Sequence, residues 1–130
     1  MAAVATTVPH AYSLIEVQPR AGTLGAEIKG VDLSTPMNDA LFAEIEQAFH
    51  QHLVIVLRNQ SISPKDLLEF SKRFGSVEPH PLGSRRGLDD HPEVMVLENK
   101  PGHLGPRNDF WHSDISFDAK PPLGLSLIHI

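Results

Sequence analysis

The segment 38–57 constrains the fold more than any other. An amphipathic helical pattern runs directly into five aliphatic residues. Asn38 is a natural N-cap, and Asp39 places negative charge in the first turn. Leu41, Phe42, Ile45, Ala48 and Phe49 recur at helical spacing on one face, while Glu44, Glu46, Gln47 and Gln51 fall on the other. The run 53–57 that follows is short, β-branched and uniformly apolar, the pattern of a buried strand. A helix feeding a buried strand with almost no linker must pack against a sheet, so the chain mixes α and β structure.

Other segments add strands and one more helix. Leu14, Ile15 and Val17 predict a short strand within 13–17, after a leader at 1–12. Gly22, Gly25 and Gly30 punctuate strand-and-turn chemistry around Ala26 and Ile28. Ser63 caps a second helix, with Pro64 at its first position and Asp66 completing a capping box. Leu67, Leu68, Phe70 and Phe74 are its apolar residues, and Gly75 closes it. Residues 76–93 are rich in Pro and Gly, and 94–97 predict a strand. Residues 99–109 form another loop. Residues 110–117 alternate as a strand would, and 125–130 end the chain in an apolar run. The expected fold class is α+β.

Composition narrows the chemistry. The chain has 130 residues, a net charge of −5 and no cysteine. Disulfides, thiolate zinc sites, iron–sulfur clusters and a cysteine nucleophile are excluded. The acidic balance gives no support to nucleic-acid or anionic-membrane partners. No aliphatic run approaches the length of a membrane span, and the first residues lack the basic start of a signal peptide. A soluble cytoplasmic protein is the expectation, with the apolar residues 125–130 favouring a homo-oligomer if they are left exposed. His and carboxylate remain as the metal ligands.

Within this set, His112–Ser113–Asp114 stands out. In an extended segment, residues i and i+2 project to the same side, so an imidazole and a carboxylate could reach one ion together. Such nitrogen and oxygen ligation suits non-haem Fe(II), with Mn and Zn as competitors. Chance alone supplies about one His-x-acid triplet in a chain of this composition. This one has two, the other being His91–Pro92–Glu93. Context separates them: Phe110, Trp111, Ile115 and Phe117 flank His112, whereas His91 sits beside Asp89 and Asp90 in a turn-like stretch.

The run 110–117, followed by Pro121–Pro122, resembles the iron-binding segment of the taurine dioxygenase and 2,4-dichlorophenoxyacetate dioxygenase family. Three upstream blocks agree in order and spacing. They are Leu24-Gly25-Ala26-Glu27-Ile28 with Gly30-Val31-Asp32-Leu33, the run 53–57 followed by Arg58-Asn59-Gln60, and Ser63-Pro64 leading to Arg73-Phe74-Gly75. The resemblance covers residues 14–124. It implies one oxygenase domain over 13–130, continuing past Ile130, with a double-stranded β-helix (jelly-roll) and flanking helices.

It also implies Fe(II) as cofactor and 2-oxoglutarate as co-substrate. O2 and a small organic substrate, anionic in character, would be the partners, and succinate and CO2 would be released. His112 and Asp114 would be two of three iron ligands. His80, between Pro79 and Pro81, aligns with a substrate-holding His, and Asn108 with a substrate-contacting Asn. The third ligand and the 2-oxoglutarate anchors are expected beyond Ile130, so the 130 residues alone are expected to be inactive. Gly83 stands where taurine dioxygenases carry a Tyr, which argues against a copy of the taurine site. Two other readings stay open: a non-catalytic α+β fragment, and a small metal-binding module using His112, Asp114 and a local His such as His103.

Overall fold

A computed structural model describes residues 12–80, 87–97 and 111–128. The chain divides into two compact units, Met1–Asp66 and Leu67–Ile130.

The first unit is a three-stranded sheet carrying one helix. Strand β1 (Glu16–Pro19) pairs antiparallel with β2 (Ala26–Lys29), and β2 pairs parallel with β3 (Ile55–Leu57). Parallel neighbours need a crossover connection, and α1 (Asp39–His52) supplies it. The hairpin closes where Arg20 N–H donates to Gly25 O at 2.9 Å. Gly25 has φ +88, a backbone position in which a side chain is strained.

The Asn38 side chain accepts from Leu41 N at 2.8 Å, so the helix starts where its cap predicts. Phe42, Ile45 and Ala48 are its buried residues, and α1 packs on β2 and β3. With Ile15, Ala26 and Ile28 they form the core, and Ile45 is 0% exposed.

The run 53–57 departs from expectation. Leu53 is the helix C-cap in the left-handed conformation, its N–H donating to Phe49 O at 2.7 Å. Val54 turns the chain, and only Ile55–Leu57 forms strand. The run is not buried either. Val54 is 47% exposed and Val56 38%, because alternation turns both away from the face that α1 covers.

Two carboxylates organise this unit. Glu27 lies at the centre of the sheet at 7% exposure, opposite Gln18 on β1 and Val56 on β3. Arg20, at the end of the hairpin, and Arg58, just beyond β3, both bind its Oε2, the latter from Nε at 3.1 Å. Glu44 was expected on the solvent side of α1. Instead it receives Ser13 Oγ at 2.6 Å and the backbone N–H groups of Ser13, Leu14 and Ile15, tying the entry of β1 to the helix. A third lock is Gln60. It accepts from Leu33 N at 2.8 Å and donates to Val31 O and Arg58 O, joining the exit of β3 to the loop after β2.

Helix α2 (Pro64–Lys72) begins with the predicted capping box: Ser63 N and Oγ donate to Asp66 Oδ2 at 2.8 and 2.7 Å. Phe70 meets Phe74 edge-on, their ring centroids 5.4 Å apart.

In the second unit, β4 (Gly87–Leu88) and β5 (His91–Met95) form an antiparallel hairpin with an irregular register. His91, Pro92 and Glu93 therefore belong to a strand, and the turn falls on Asp89 and Asp90. The predicted strand at 94–97 begins earlier and ends at Met95. A Cβ at Gly87 would stand 2.6 Å from Pro92 O, so only glycine fits there. Residues 111–128 contain no strand, contrary to the expectation for 110–117 and 125–130. The double-stranded β-helix is likewise not formed among the described residues, whose sheets have three and two strands. That closed architecture requires strand partners for both edges of a sheet, and β1 and β3 are edges here.

Ile45→Ala should destabilise the chain by about 2–5 kcal/mol, and Asn38→Ala by about 1 kcal/mol, read from denaturant midpoints. Gly87→Ala should increase amide exchange across β4 and β5 and leave β1 to β3 unchanged.

Stability should also fall in acid. The Ser13 hydroxyl holds the Glu44 carboxyl below its ordinary range, and the Arg20 guanidinium does the same for Glu27. The Ser34 hydroxyl acts likewise on Asp32, and the Ser63 hydroxyl on Asp66. A carboxyl whose pKa is lower folded than unfolded contributes fully above its unfolded value. That contribution disappears as pH falls through the folded value. Denaturant midpoints should therefore be flat near neutrality and decline steadily below about pH 4.5. Glu44→Gln should weaken that decline.

Candidate metal centre

The candidate centre lies in the segment 111–118. Its local conformation is a turn, not the alternating strand that the sequence suggests. Asp114, Ile115, Ser116 and Phe117 form the turn, and Asp118 N–H donates to Ile115 O at 3.1 Å. Strand propensity is context-dependent, since aromatic and β-branched residues favour a strand only where a sheet offers them neighbours. Trp111 and Phe117 are instead exposed.

Within this turn, His112 Nε2 lies 3.6 Å from Asp114 Oδ1. Both side chains are accessible to solvent. The two side chains approach although neither residue lies on a strand: 111–113 are irregular and the turn begins at Asp114. An imidazole nitrogen and a carboxylate oxygen at this separation fit two coordination positions of one small cation. Two cis ligands of an octahedral iron, each bonded at about 2.1 Å, stand roughly 3.0 Å apart, so a closure of about half an ångström brings both donors onto one ion. Nitrogen with oxygen is also the donor set that suits non-haem iron. Among the described residues, no third His, Asp or Glu joins the pair to make a metal-binding group.

The other candidates are placed as follows. His80 is half-buried in the irregular stretch after α2. Asn108, His103 and Gly83 lie outside the described residues. His91 and Glu93, the second His-x-acid triplet, sit on β5.

Sequence reasoning did not single out Ile115. Its φ is +50, left-handed, an unusual conformation for a β-branched residue that costs about 1–2 kcal/mol. No sequence signal announces it, because a turn of this kind ordinarily selects Gly, Asn or Asp.

The family model for the taurine catabolism dioxygenase TauD, TfdA family matches residues 16–130, and the chain belongs to that family. It is 34% identical over 125 residues to an alpha-ketoglutarate-dependent sulfate ester dioxygenase from Pseudomonas putida, covering 95% of this chain and 40% of the relative. It is 35% identical over 102 residues to pentalenolactone F synthase from Streptomyces avermitilis, covering 72% of this chain and 33% of that protein. A solved taurine dioxygenase from Burkholderia xenovorans superposes with a TM-score of 0.58 at 30% identity, covering 67% of this chain and 32% of that one. The chain thus spans well under half the length of the relatives it matches. No helix among the described residues is long and apolar enough to cross a membrane.

If the backbone of 112–114 holds the pair locally, His112 and Asp114 should stay close in the absence of metal. Nuclear Overhauser contacts between the His112 ring and the Asp114 β-protons should then be seen in apo protein. Their absence would mean that the pair has no preformed geometry.

Proposed function

We propose that this chain is the N-terminal part of a single-domain Fe(II)- and 2-oxoglutarate-dependent dioxygenase, acting on a small anionic organic substrate. The observation that carries this reading is the His112–Asp114 pair at 3.6 Å, in a chain of this family. His112 offers Nε2 and Asp114 a carboxylate oxygen as two protein ligands of the metal. Their separation of two residues lets both donors reach one ion from the same short segment. The bound iron, with 2-oxoglutarate and O2, supplies the oxidising power for hydroxylation of a C–H bond, with release of succinate and CO2.

His80 helps to hold the acidic group of the substrate, and Asn108 contacts the substrate. The family resemblance at both positions supports this reading, and an imidazole can donate a hydrogen bond to a sulfate, sulfonate or carboxylate oxygen. The sulfate ester dioxygenase that matches 95% of the chain makes alkyl sulfate esters the first substrates to try. The activity belongs to a longer protein. Two donors leave the coordination set one short of a facial triad, so the 130 residues alone should not turn over.

The test is succinate formation from 2-oxoglutarate with Fe(II) and ascorbate, over alkyl sulfates, sulfonates and aryloxyacetates. The full-length protein should turn over at least one class, and the 130-residue chain none. His112→Ala and Asp114→Ala should each lose iron-dependent turnover. His80→Ala should raise KM more than it lowers kcat, as expected for a group that binds the substrate without reacting. Unchanged activity in Asp114→Ala would mean that another carboxylate holds the metal.

A further inference from the structure

The two outer strands of the first sheet differ in how they meet solvent. β1 carries Glu16, Gln18 and Pro19, and Glu44 occupies the backbone N–H groups that lead into it. Charge, proline and a covered approach are what blunt a sheet edge against further pairing. β3 is Ile55-Val56-Leu57, with no charge and no proline, and it is an edge among the described residues. The register decides what that edge presents. Ala26 N–H donates to Val54 O at 2.9 Å and pairs with Ile55, so Val54 and Val56 turn their backbone groups toward β2. Backbone groups alternate along a parallel strand, so the N–H and C=O groups of Ile55 and Leu57 face away from the sheet. The side chains of Val54 and Val56 are exposed on the face that α1 leaves open. An unpaired apolar edge and an open apolar strip therefore run along the same strand.

We propose that the β3 edge is a docking surface for a further strand of the same polypeptide, supplied by the sequence that follows Ile130. Main-chain hydrogen bonds to Ile55 and Leu57 set that strand in place, and its apolar side chains cover Val54 and Val56. This rests on the reading of the chain as the N-terminal part of a longer protein. The sulfate ester dioxygenase matches 95% of this chain with 40% of its own length, so most of such a protein lies outside the segment matched here.

A second copy of the chain is the poorer occupant. Pairing β3 with itself would join two strands of three residues, far short of the roughly 1,200 Å² that a stable interface buries. A strand from the same polypeptide needs no such area, because joining it costs no translational freedom of a separate molecule. The experiment uses the full-length protein. Hydrogen exchange is resolved to single amides over residues 53–58, and nuclear Overhauser contacts are recorded in a sample with labelled Ile, Leu and Val methyls. The Ile55 and Leu57 amides should exchange at least about a hundredfold more slowly than in an unstructured peptide, at every protein concentration. The Val54 and Val56 methyls should show contacts to residues after 130.

Exchange of Ile55 and Leu57 at the unstructured rate would overturn the proposal. So would protection that disappears on dilution, which assigns the edge to a second copy, and so would methyl contacts that are absent or confined to residues 1–130. The succinate assay keeps this inference separate from the proposed activity. Turnover by a full-length protein whose β3 edge exchanges freely sinks the docking surface and leaves the enzyme standing. A protected β3 edge in a protein that turns over no substrate does the reverse.

Discussion

The first unit depends on one buried charge. Glu27 sits in the middle strand of a three-stranded sheet, where a carboxylate is stable only if it is paired and hydrogen-bonded. Both of its partners come from chain segments that the sheet itself brings together. Arg20 arrives because β1 and β2 form a hairpin, and Arg58 because β3 lies parallel to β2 with Val56 opposite Glu27. A one-residue slip in either pairing would move an arginine to the wrong face and leave the carboxylate unpaired. The hydrophobic contacts of α1 supply the attraction between helix and sheet, but they are non-directional. The pairing at Glu27 gives that attraction a register.

The remaining polar locks follow the same logic at the edges. Glu44 satisfies the backbone N–H groups of residues 13–15, which enter β1 without a strand partner of their own. Gln60 satisfies Leu33 N and Val31 O in the loop after β2. In each case a side chain from a later element completes hydrogen bonds that an earlier irregular segment leaves open, as buried or half-buried backbone demands. These bonds are made by ionised or amide groups aimed at fixed partners, so they hold the ends of strands that are only three or four residues long.

The candidate metal centre has a different origin. His112 and Asp114 are two residues apart, and their approach needs only the backbone between them. Such a pair can be read in the sequence as a chemical possibility, but its geometry cannot. The alternation of residues 110–117 suggests an extended strand, whereas the backbone bends at Ile115. Propensity for a strand is realised only against neighbouring strands, and Trp111 and Phe117 are exposed. His80 can be read in the same way, as a residue type in a family position. Nothing local to Pro79 and Pro81 says what its imidazole reaches.

Features that depend on near neighbours along the chain are legible in the residues alone. Asn38 begins α1, Ser63 and Asp66 begin α2, and the spacing of Phe42, Ile45 and Ala48 selects the buried face. Each rests on a contact within three or four residues or on one helical repeat, so no distant information is required. The motif blocks likewise carried the family. Other features involve partners far apart in sequence or a backbone state that residue type disfavours, and these need the folded chain. Glu44 looked like a solvent-facing residue until the entry of β1 came within its reach. Nothing next to Glu27 in the sequence announces the two arginines that close on it, because they come from residues 20 and 58. The run 53–57 split between cap and strand because the helix needed Leu53 to end. Ile115 took a left-handed conformation at the head of the turn that Asp118 N–H closes, a state that a branched side chain disfavours and that residue type therefore could not announce.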